Sequence, residues 1–412
     1  MIDFNPSQTQ LMIQGFLRQF ALNTMRPAAI EADKREHEKP WDVIKQVNAL
    51  LSSPMAAGLS RHRDDPKGES KEGGAGIGGG GSKGVAGVLF GEELAYGAAS
   101  LVLSFPGPGL AGAAIAAAGT PAQREKWLKR YADGEVRFGA MAVTEPGCGS
   151  DVAGIRTTAV RDGKHWVLNG TKIFCTNGAS ADITVVWATI DPSKGRDGIR
   201  SFVVEKDTPG FKVGHLEKKL GIRSSETAEL ILDDCRIPLE NMIGDEEDLK
   251  TKGFKGVMAT FDATRPGVAA MAVGIARAAL EYLEDRLREE GWEGPGYGRS
   301  RANVSAIDDA FQEMESQIEA ARLLARRAAF MLDQKKPNAL EASMAKAKAG
   351  RVVVDVCAKV VELLGPEGLT RKHPAEMWLR DSKVYDIFEG TGQVNRLVIA
   401  RRVLGYTREE LP

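Results

Sequence analysis

Thr157-Thr158-Ala159-Val160-Arg161-Asp162-Gly163-Lys164-His165-Trp166-Val167-Leu168-Asn169-Gly170-Thr171-Lys172-Ile173-Phe174-Cys175-Thr176 is the stretch on which the architecture turns. Two β-prone runs, Thr157 to Val160 and His165 to Leu168, flank Asp162-Gly163, a strong hairpin signal. Asn169-Gly170 then reads as a second turn leading into Thr171 to Thr176. Short β-rich runs follow at 183–189, 199–204 and 230–232, separated by Pro- or Gly-containing turns. The pattern predicts a small all-β domain, a barrel, over residues 138–250.

Outward from this segment the texture is helical on both sides. Upstream, Ser7 is a candidate cap for a helix with Leu11, Phe16, Leu17 and Phe20 on one face. Further helices are predicted over 40–51 and 84–99, and another after Thr120-Pro121, where Thr suits the cap and Pro the first turn. Downstream, 269–288, 304–334, 338–364 and 394–404 are long, Ala-rich and periodic, as in a four-helix bundle. The expectation is an α+β multidomain chain: a helical domain over 1–137, a β domain over 138–250 and a helical bundle over 251–412.

Composition narrows the partners. The 412 residues leave room for two or three domains, with 43% hydrophobic and 27% charged residues. Lys+Arg number 55 against 56 Asp+Glu, a net charge of -1, which gives no global case for nucleic acid or an anionic membrane. The 4 cysteines are scattered and the 5 histidines lack ligand spacing, so neither disulfides nor a metal are expected. No basic leader precedes an apolar core near Asp3, and the small-residue run 110–118 is too short to span a bilayer. The cytoplasm is the expected compartment. Gly73 to Gly81 contains a literal G-x-G-x-x-G, but a charged run rather than a strand precedes it. It reads as a surface loop.

The chemistry is concentrated in four segments. Near the C-terminus, Tyr385-Asp386-Ile387-Phe388-Glu389-Gly390-Thr391-Gly392-Gln393 sets one carboxylate between apolar side chains and a Gly turn, a way to raise the pKa of a base by desolvation. The others are 142–151 (Ala142-Val143-Thr144-Glu145-Pro146-Gly147-Cys148-Gly149-Ser150-Asp151), 169–178 (Asn169 to Gly178) and 261–266 (Phe261-Asp262-Ala263-Thr264-Arg265-Pro266). In this order they resemble the signatures of the acyl-CoA dehydrogenase family of flavoenzymes, whose fold is likewise helical, β, helical.

That resemblance implies FAD as cofactor and an acyl-CoA as substrate. The implied reaction is α,β-dehydrogenation, with electrons leaving to an electron-transfer flavoprotein. It implies Glu389 as the base that takes the α-proton, with its backbone N–H and a ribityl hydroxyl of FAD as donors to the thioester oxygen. Some relatives carry the base at the position of Thr264, which is not acidic here. For the cofactor it implies Met141, Val143, Thr144, Gly149, Ser150, Phe174, Cys175, Thr176, Thr391 and Gln393. Thr176 matches the flavin N5 donor, and Phe174 stands where relatives usually carry Trp. Toward the substrate it implies Ser150, Asp262, Thr264, Arg265, Glu389 and Gly390, with 261–266 read as a turn beside the acyl-CoA. Phe105-Pro106-Gly107-Pro108-Gly109 is expected near the acyl pocket, with an irregular backbone.

Two regions depart from the family pattern. Residues 286–294 lack the Phe-Gly that follows an Arg in relatives, and Glu362-Leu363-Leu364-Gly365-Pro366 replaces Gln-x-x-Gly-Gly near the neighbouring subunit's FAD. Arg299 or Arg301 are candidates to compensate. A homotetramer is expected from the resemblance, and a heteromeric assembly is the alternative these departures raise. A same-fold flavin oxidase or monooxygenase and a non-catalytic subunit are the competing functions, and Glu389 weighs against the oxidase.

Overall fold

The structure, a computed structural model, describes residues 8–51, 83–245, 253–407 and 410. Ser7, the Gly-rich 73–81 run and the charged 61–71 segment lie outside the described residues.

Helix α1 (Gln8–Phe20) passes through a π turn (Ala21–Met25) into α2 (Arg26–Lys34), with Pro27 in the first turn of α2, where a missing N–H is harmless. Then come α3 (Trp41–Leu51), α4 (Lys83–Val102), α5 (Gly109–Ala118) and α6 (Pro121–Leu128). Thr120 caps α6 through a reciprocal box: Gln123 N donates to Thr120 Oγ1 at 3.2 Å and Thr120 N to Gln123 Oε1 at 3.1 Å. The predicted apolar face of α1 is buried only in part, with Leu17 and Phe20 half-buried and Phe20 packed on the core. Leu11 and Phe16 are exposed, and Ile13 is the buried side chain, followed by Ala21 and Met25 in the π turn. Helix α4 is long and apolar enough over 84–102 to cross a membrane, a property the sequence reading assigned to no segment. Of its apolar window 67% is buried inside the fold, as in a core helix.

The middle of the chain is a curled seven-stranded sheet built from β1 (Gly139–Ala142), β2 (Thr158–Asp162), β3 (His165–Thr176), β4 (Ile183–Thr189), β5 (Ile199–Glu205), β6 (Phe211–Leu216) and β7 (Thr227–Pro238). Its order is β1-β4-β2-β3-β7-β6, with β5 beside β4. The hairpin β2–β3 pairs Asp162 with His165, so its loop is Gly163-Lys164, with Gly163 at φ 58. Asn169-Gly170 is not a turn. Strand β3 runs through it, and the register against β7 slips between Leu168 and Gly170 as a bulge. The Asn169 side chain holds that bulge by exchanging hydrogen bonds with Asp234 across the strands.

Strand β4 is buried at every residue, so its sequence is apolar or Thr throughout rather than alternating. Trp166, Leu168, Phe202, Leu230 and Ile237 fill the core of the curl.

The remaining helices are α7 (Gly253–Glu289), α8 (Ala306–Asp333), α9 (Ala339–Leu363), α10 (Ala375–Ser382) and α11 (Gly392–Leu404). Their alanines explain the packing: Ala269, Ala276, Ala321, Ala325, Ala342 and Ala345 are buried together with Ala95 and Ala99 of α4. Small side chains bring the axes close, so each helix buries a broad face against its neighbours.

Candidate active site

Where the N-terminal helices, the sheet and the C-terminal helices meet lies a cleft of ≈ 3130 Å³. It is lined by Met141, Val143, Thr144, Gly149 and Ser150 after β1, and by Phe174 and Thr176 at the end of β3. Asp262, Thr264 and Arg265 of α7 face it, as do Glu389, Gly390 and Thr391 before α11. Phe105 to Gly109 also line it, with Gly107 and Gly109 at positive φ, so this backbone is irregular where the Pro-Gly pattern requires it. Among the candidate residues only Cys175 and Gln393 stay outside.

Both exceptions have a local cause. A second slip against β7, between Lys172 and Cys175, puts Phe174 at φ 57, with the ring exposed toward the cleft. Cys175 is thereby turned into the sheet core, where burial pushes its thiol up to about 12. Thr391 caps α11, its hydroxyl accepting from Val394 N at 3.2 Å, and Gln393 in the first turn faces away and is exposed.

Glu389 occupies the left-handed region at φ 54, costly for a residue with a side chain. Thr264 Oγ1 donates to Glu389 Oε2 at 2.5 Å, and Arg265 Nε donates to the Glu389 carbonyl at 3.1 Å. One helix thus fixes both the carboxylate and the backbone behind it. Burial raises the Glu389 pKa, opposed by the Thr264 hydrogen bond and by the positive charges of Arg265 and Lys346. The result is a carboxylate that protonates above the usual range, as a base working near neutrality requires.

Residues 261–266 are not a turn. They lie inside α7, with Pro266 in the helix interior. Proline removes the N–H that would meet the Asp262 carbonyl. Asn338 Nδ2 replaces it, donating to Asp262 O at 3.1 Å and to Ala328 O at 3.2 Å. The freed carbonyl is therefore satisfied, and Arg265 stays buried with an Asp262 ion pair at 3.1 Å.

The loop after β1 is held from behind. Lys172 is fully buried, and its Nζ donates to Val143 O at 3.0 Å and to Glu145 Oε1 at 2.8 Å. Glu145 also accepts from Arg156 N at 2.7 Å and Thr157 N at 2.9 Å. Burial disfavours the Glu145 charge, but Lys172 and these donors outweigh it and hold the carboxyl below the usual range. Ile173 N donates to Thr144 O at 2.9 Å, tying the loop to β3.

Sequence reasoning missed two of these devices. A Lys at an inward position of a strand was the available signal for the clamp. The other is the segment Lys219–Ile222, which lines the cleft with Ile222 at φ 46, its N–H donated to buried Asp381 at 2.5 Å. No local feature of 219–222 marks it.

The two departing regions are paired within the chain. Arg286 meets Glu289 and Glu367, Arg299 meets Glu293 at 3.2 Å and Asp308 at 3.6 Å, and Glu362 meets Lys359 at 2.7 Å.

Three successive regions match acyl-CoA dehydrogenase domains: the N-terminal domain over 74–135, the middle domain over 140–235 and the C-terminal domain over 251–404. A short-chain specific acyl-CoA dehydrogenase of Clostridium acetobutylicum is 36% identical over 406 residues, covering 98% of this chain and 100% of its own. The chain belongs to the acyl-CoA dehydrogenase family.

Solved structures agree with this membership. Butyryl-CoA dehydrogenase from Megasphaera elsdenii superposes with a TM-score of 0.82 at 34% identity, covering 98% of this chain and 100% of that one. A chain solved in work on the electron transferring flavoprotein of Acidaminococcus fermentans gives a TM-score of 0.82 at 35% identity, with coverage of 98% and 100%. The family consists of FAD flavoproteins, and in this acyl-CoA dehydrogenase the loop after β1 leaves space at the cleft for such a cofactor. Gly147 has nothing within 4 Å of where a Cβ would stand, and Gly149 has only Thr144 Cγ2 at 3.9 Å, so the loop backbone is open to close approach. The exposed face of Phe174 and the Thr176 hydroxyl border the same space.

Proposed function

We propose that this chain oxidises a short-chain acyl-CoA thioester to the trans-2-enoyl-CoA, Glu389 removing the α-proton, with an electron-transfer flavoprotein as acceptor. The observation that carries the reading is the Glu389 carboxylate, half-buried at the cleft and held by Thr264 Oγ1 at 2.5 Å, facing a cavity large enough for a cofactor and a thioester. FAD, when bound, accepts the β-hydrogen as hydride at N5, chemistry no side chain can supply. Glu389 takes the α-proton, and the electron pair of that C–H bond becomes the new C=C bond. Thr264 orients the carboxylate, and Arg265 fixes the Glu389 backbone, whose N–H is the proposed donor to the thioester oxygen. Phe174 and Thr176 would border the flavin ring, and Met141, Val143, Thr144, Gly149 and Ser150 would hold the rest of the cofactor.

The short-chain substrate class rests on the relatives' names, as does the flavoprotein acceptor. A homotetramer in the cytoplasm belongs to the same proposal. The test is an absorbance spectrum of the purified protein with anaerobic additions of saturated acyl-CoA thioesters of about four to twelve carbons, on the order of one equivalent each. A flavin band that bleaches fully with butyryl-CoA in the wild type and not in Glu389→Gln supports the proposal. A flavin-loaded protein that no saturated thioester bleaches refutes it.

A further inference from the structure

Behind the wall of the cleft, three buried polar atoms of complementary chemistry have no hydrogen-bond partner: Lys346 Nζ, Asp386 Oδ1 and Asn395 Oδ1. Lys346 is 1% exposed, and an ammonium left without acceptors at that depth is costly. One face of α9 explains where it points. Ser343, Lys346 and Gly350 follow at helical spacing. Ser343 Oγ lies 3.5 Å from Arg265 Nη1, the arginine that holds the Glu389 carbonyl. Gly350 presses on the backbone before the loop, a Cβ there being 2.6 Å from Tyr385 O and 3.1 Å from Asp386 Cα. Lys346 lies between these two contacts, under the loop that carries Glu389.

The loop's ends carry the two unmet acceptors. Asp386 precedes it, with Oδ1 against the first residue of α11, 2.3 Å from where a Cβ on Gly392 would be. Asn395 follows it, and its Nδ2 donates to Gly390 O at 2.8 Å and Thr391 O at 3.0 Å, leaving Oδ1 free. The charged groups acting on Lys346 are Asp386, Glu389 and, from α7, Arg265, and α11, which carries the neutral Asn395, packs against α9. Attraction without a direct bond is the spacing that a bridging water fills.

We propose that Lys346 is a positioning residue for the base: its ammonium, bridged by water to Asp386 and Asn395, pins both ends of the Glu389 loop and favours the ionised carboxylate. Lys346 does not line the cleft, so it touches neither substrate nor cofactor. Burial lowers its pKa to about 8, which leaves it charged at neutral pH. Removing that charge takes away one of the three influences that oppose the burial of Glu389.

The inference rests on the reading of Glu389 as base, and two measurements keep the two separable. In holoenzyme, single-turnover flavin bleaching by butyryl-CoA is followed against pH for wild type, Lys346→Met and Lys346→Arg. The Met variant is expected to move the acid limb up by about one pH unit, a tenfold loss of rate below it, while Arg keeps the wild-type limb. Ligand affinity stays within about twofold in both. Independently of turnover, thermal unfolding of Lys346→Met, Asp386→Asn and the double variant is expected to be non-additive, the pair losing less than the sum of the singles. If Lys346→Met does not fold, Lys346→Gln takes its place in both experiments. An unmoved acid limb in a wild type that does bleach overturns the proposal and leaves the dehydrogenase reading intact. Additive stability losses overturn it even if no thioester bleaches the wild type.

Discussion

Lys172→Met tests whether the cofactor loop is held by a buried charge. The substitution keeps the length and apolar stem of the side chain but removes the ammonium that bonds Val143 O at 3.0 Å and Glu145 Oε1 at 2.8 Å. Glu145 would keep its two amide donors, from Arg156 and Thr157, yet lose its counter-charge at 6% exposure. Breaking one side of a buried ion pair costs about 3–5 kcal/mol, mostly for the charge left behind. The Val143 carbonyl also loses its partner, and Val143 and Thr144 line the cleft, so FAD binding weakens tenfold for each ~1.4 kcal/mol of lost loop positioning. Adding Glu145→Gln removes the stranded charge and keeps an acceptor for one of the two amides, so part of the stability should return.

The assay is urea unfolding followed by tryptophan fluorescence, to which buried Trp166 and Trp187 in the sheet contribute, with FAD titration of the apoprotein alongside. The sign with pH is fixed. The Glu145 pKa is lowered in the fold, so its contribution is present above the ordinary 4.5 and lost as pH falls through the folded value. The gap between wild type and Lys172→Met is therefore full at pH 7 and narrows in acid. A Lys172→Met protein with wild-type stability and FAD affinity refutes the clamp, and a double variant no better than the single refutes the stranded-charge explanation.

Glu389→Gln keeps the shape of the site but cannot accept the α-proton, so single-turnover flavin bleaching should fall by at least ~10²-fold while acyl-CoA still binds. Thr264→Val removes a hydrogen bond that favours the ionised Glu389, and the acid limb of the bleaching rate should move up by about one pH unit. Asp381→Asn should stabilise the fold above pH 7. Burial raises the Asp381 pKa to about 7, so its favourable contribution is complete only below the ordinary 3.8 and is lost as pH rises through 7. Asn keeps the acceptor for Ile222 N, and a gain on the order of a few kcal/mol by urea titration at pH 8 should vanish at pH 4.

How much was legible depended on how local the determinants were. The long helices could be read because alanine periodicity is a property of one segment, and β4 because every position is apolar or Thr. Strand β6 could not, since its four middle residues are all exposed at the sheet edge and show no alternation. Asn169-Gly170 has turn chemistry, but pairing with β7 makes it a bulge, and only the partner strand decides that. Pro266 reads as a helix breaker until Asn338, just before α9, takes its lost bond. The candidate residues mostly met at one cleft because short motifs carry them. The anchors behind them remained hidden because Lys172–Glu145, Ile222–Asp381 and Arg265–Glu389 join positions distant in sequence.

Those anchors share a logic. Four side-chain-bearing residues at the cleft have positive φ: Asn177 at φ 57, a residue type that tolerates it, and Phe174, Ile222 and Glu389 at φ 57, 46 and 54, these three each costing on the order of 1–3 kcal/mol in backbone strain. Beside each of these three is a buried ionisable group: Lys172 two residues before Phe174, Asp381 on the Ile222 amide, Arg265 on the Glu389 carbonyl. Burying such charges does little for net stability, since desolvation offsets most of the attraction. It does penalise alternative backbone arrangements, because any relaxation toward an ordinary φ would leave a buried charge or amide unpaired. Strain and buried charge are thus two halves of one device. The strained backbone aims an aromatic wall, an aliphatic wall and a carboxylate into one cavity, and the charges make leaving that arrangement costlier than keeping it.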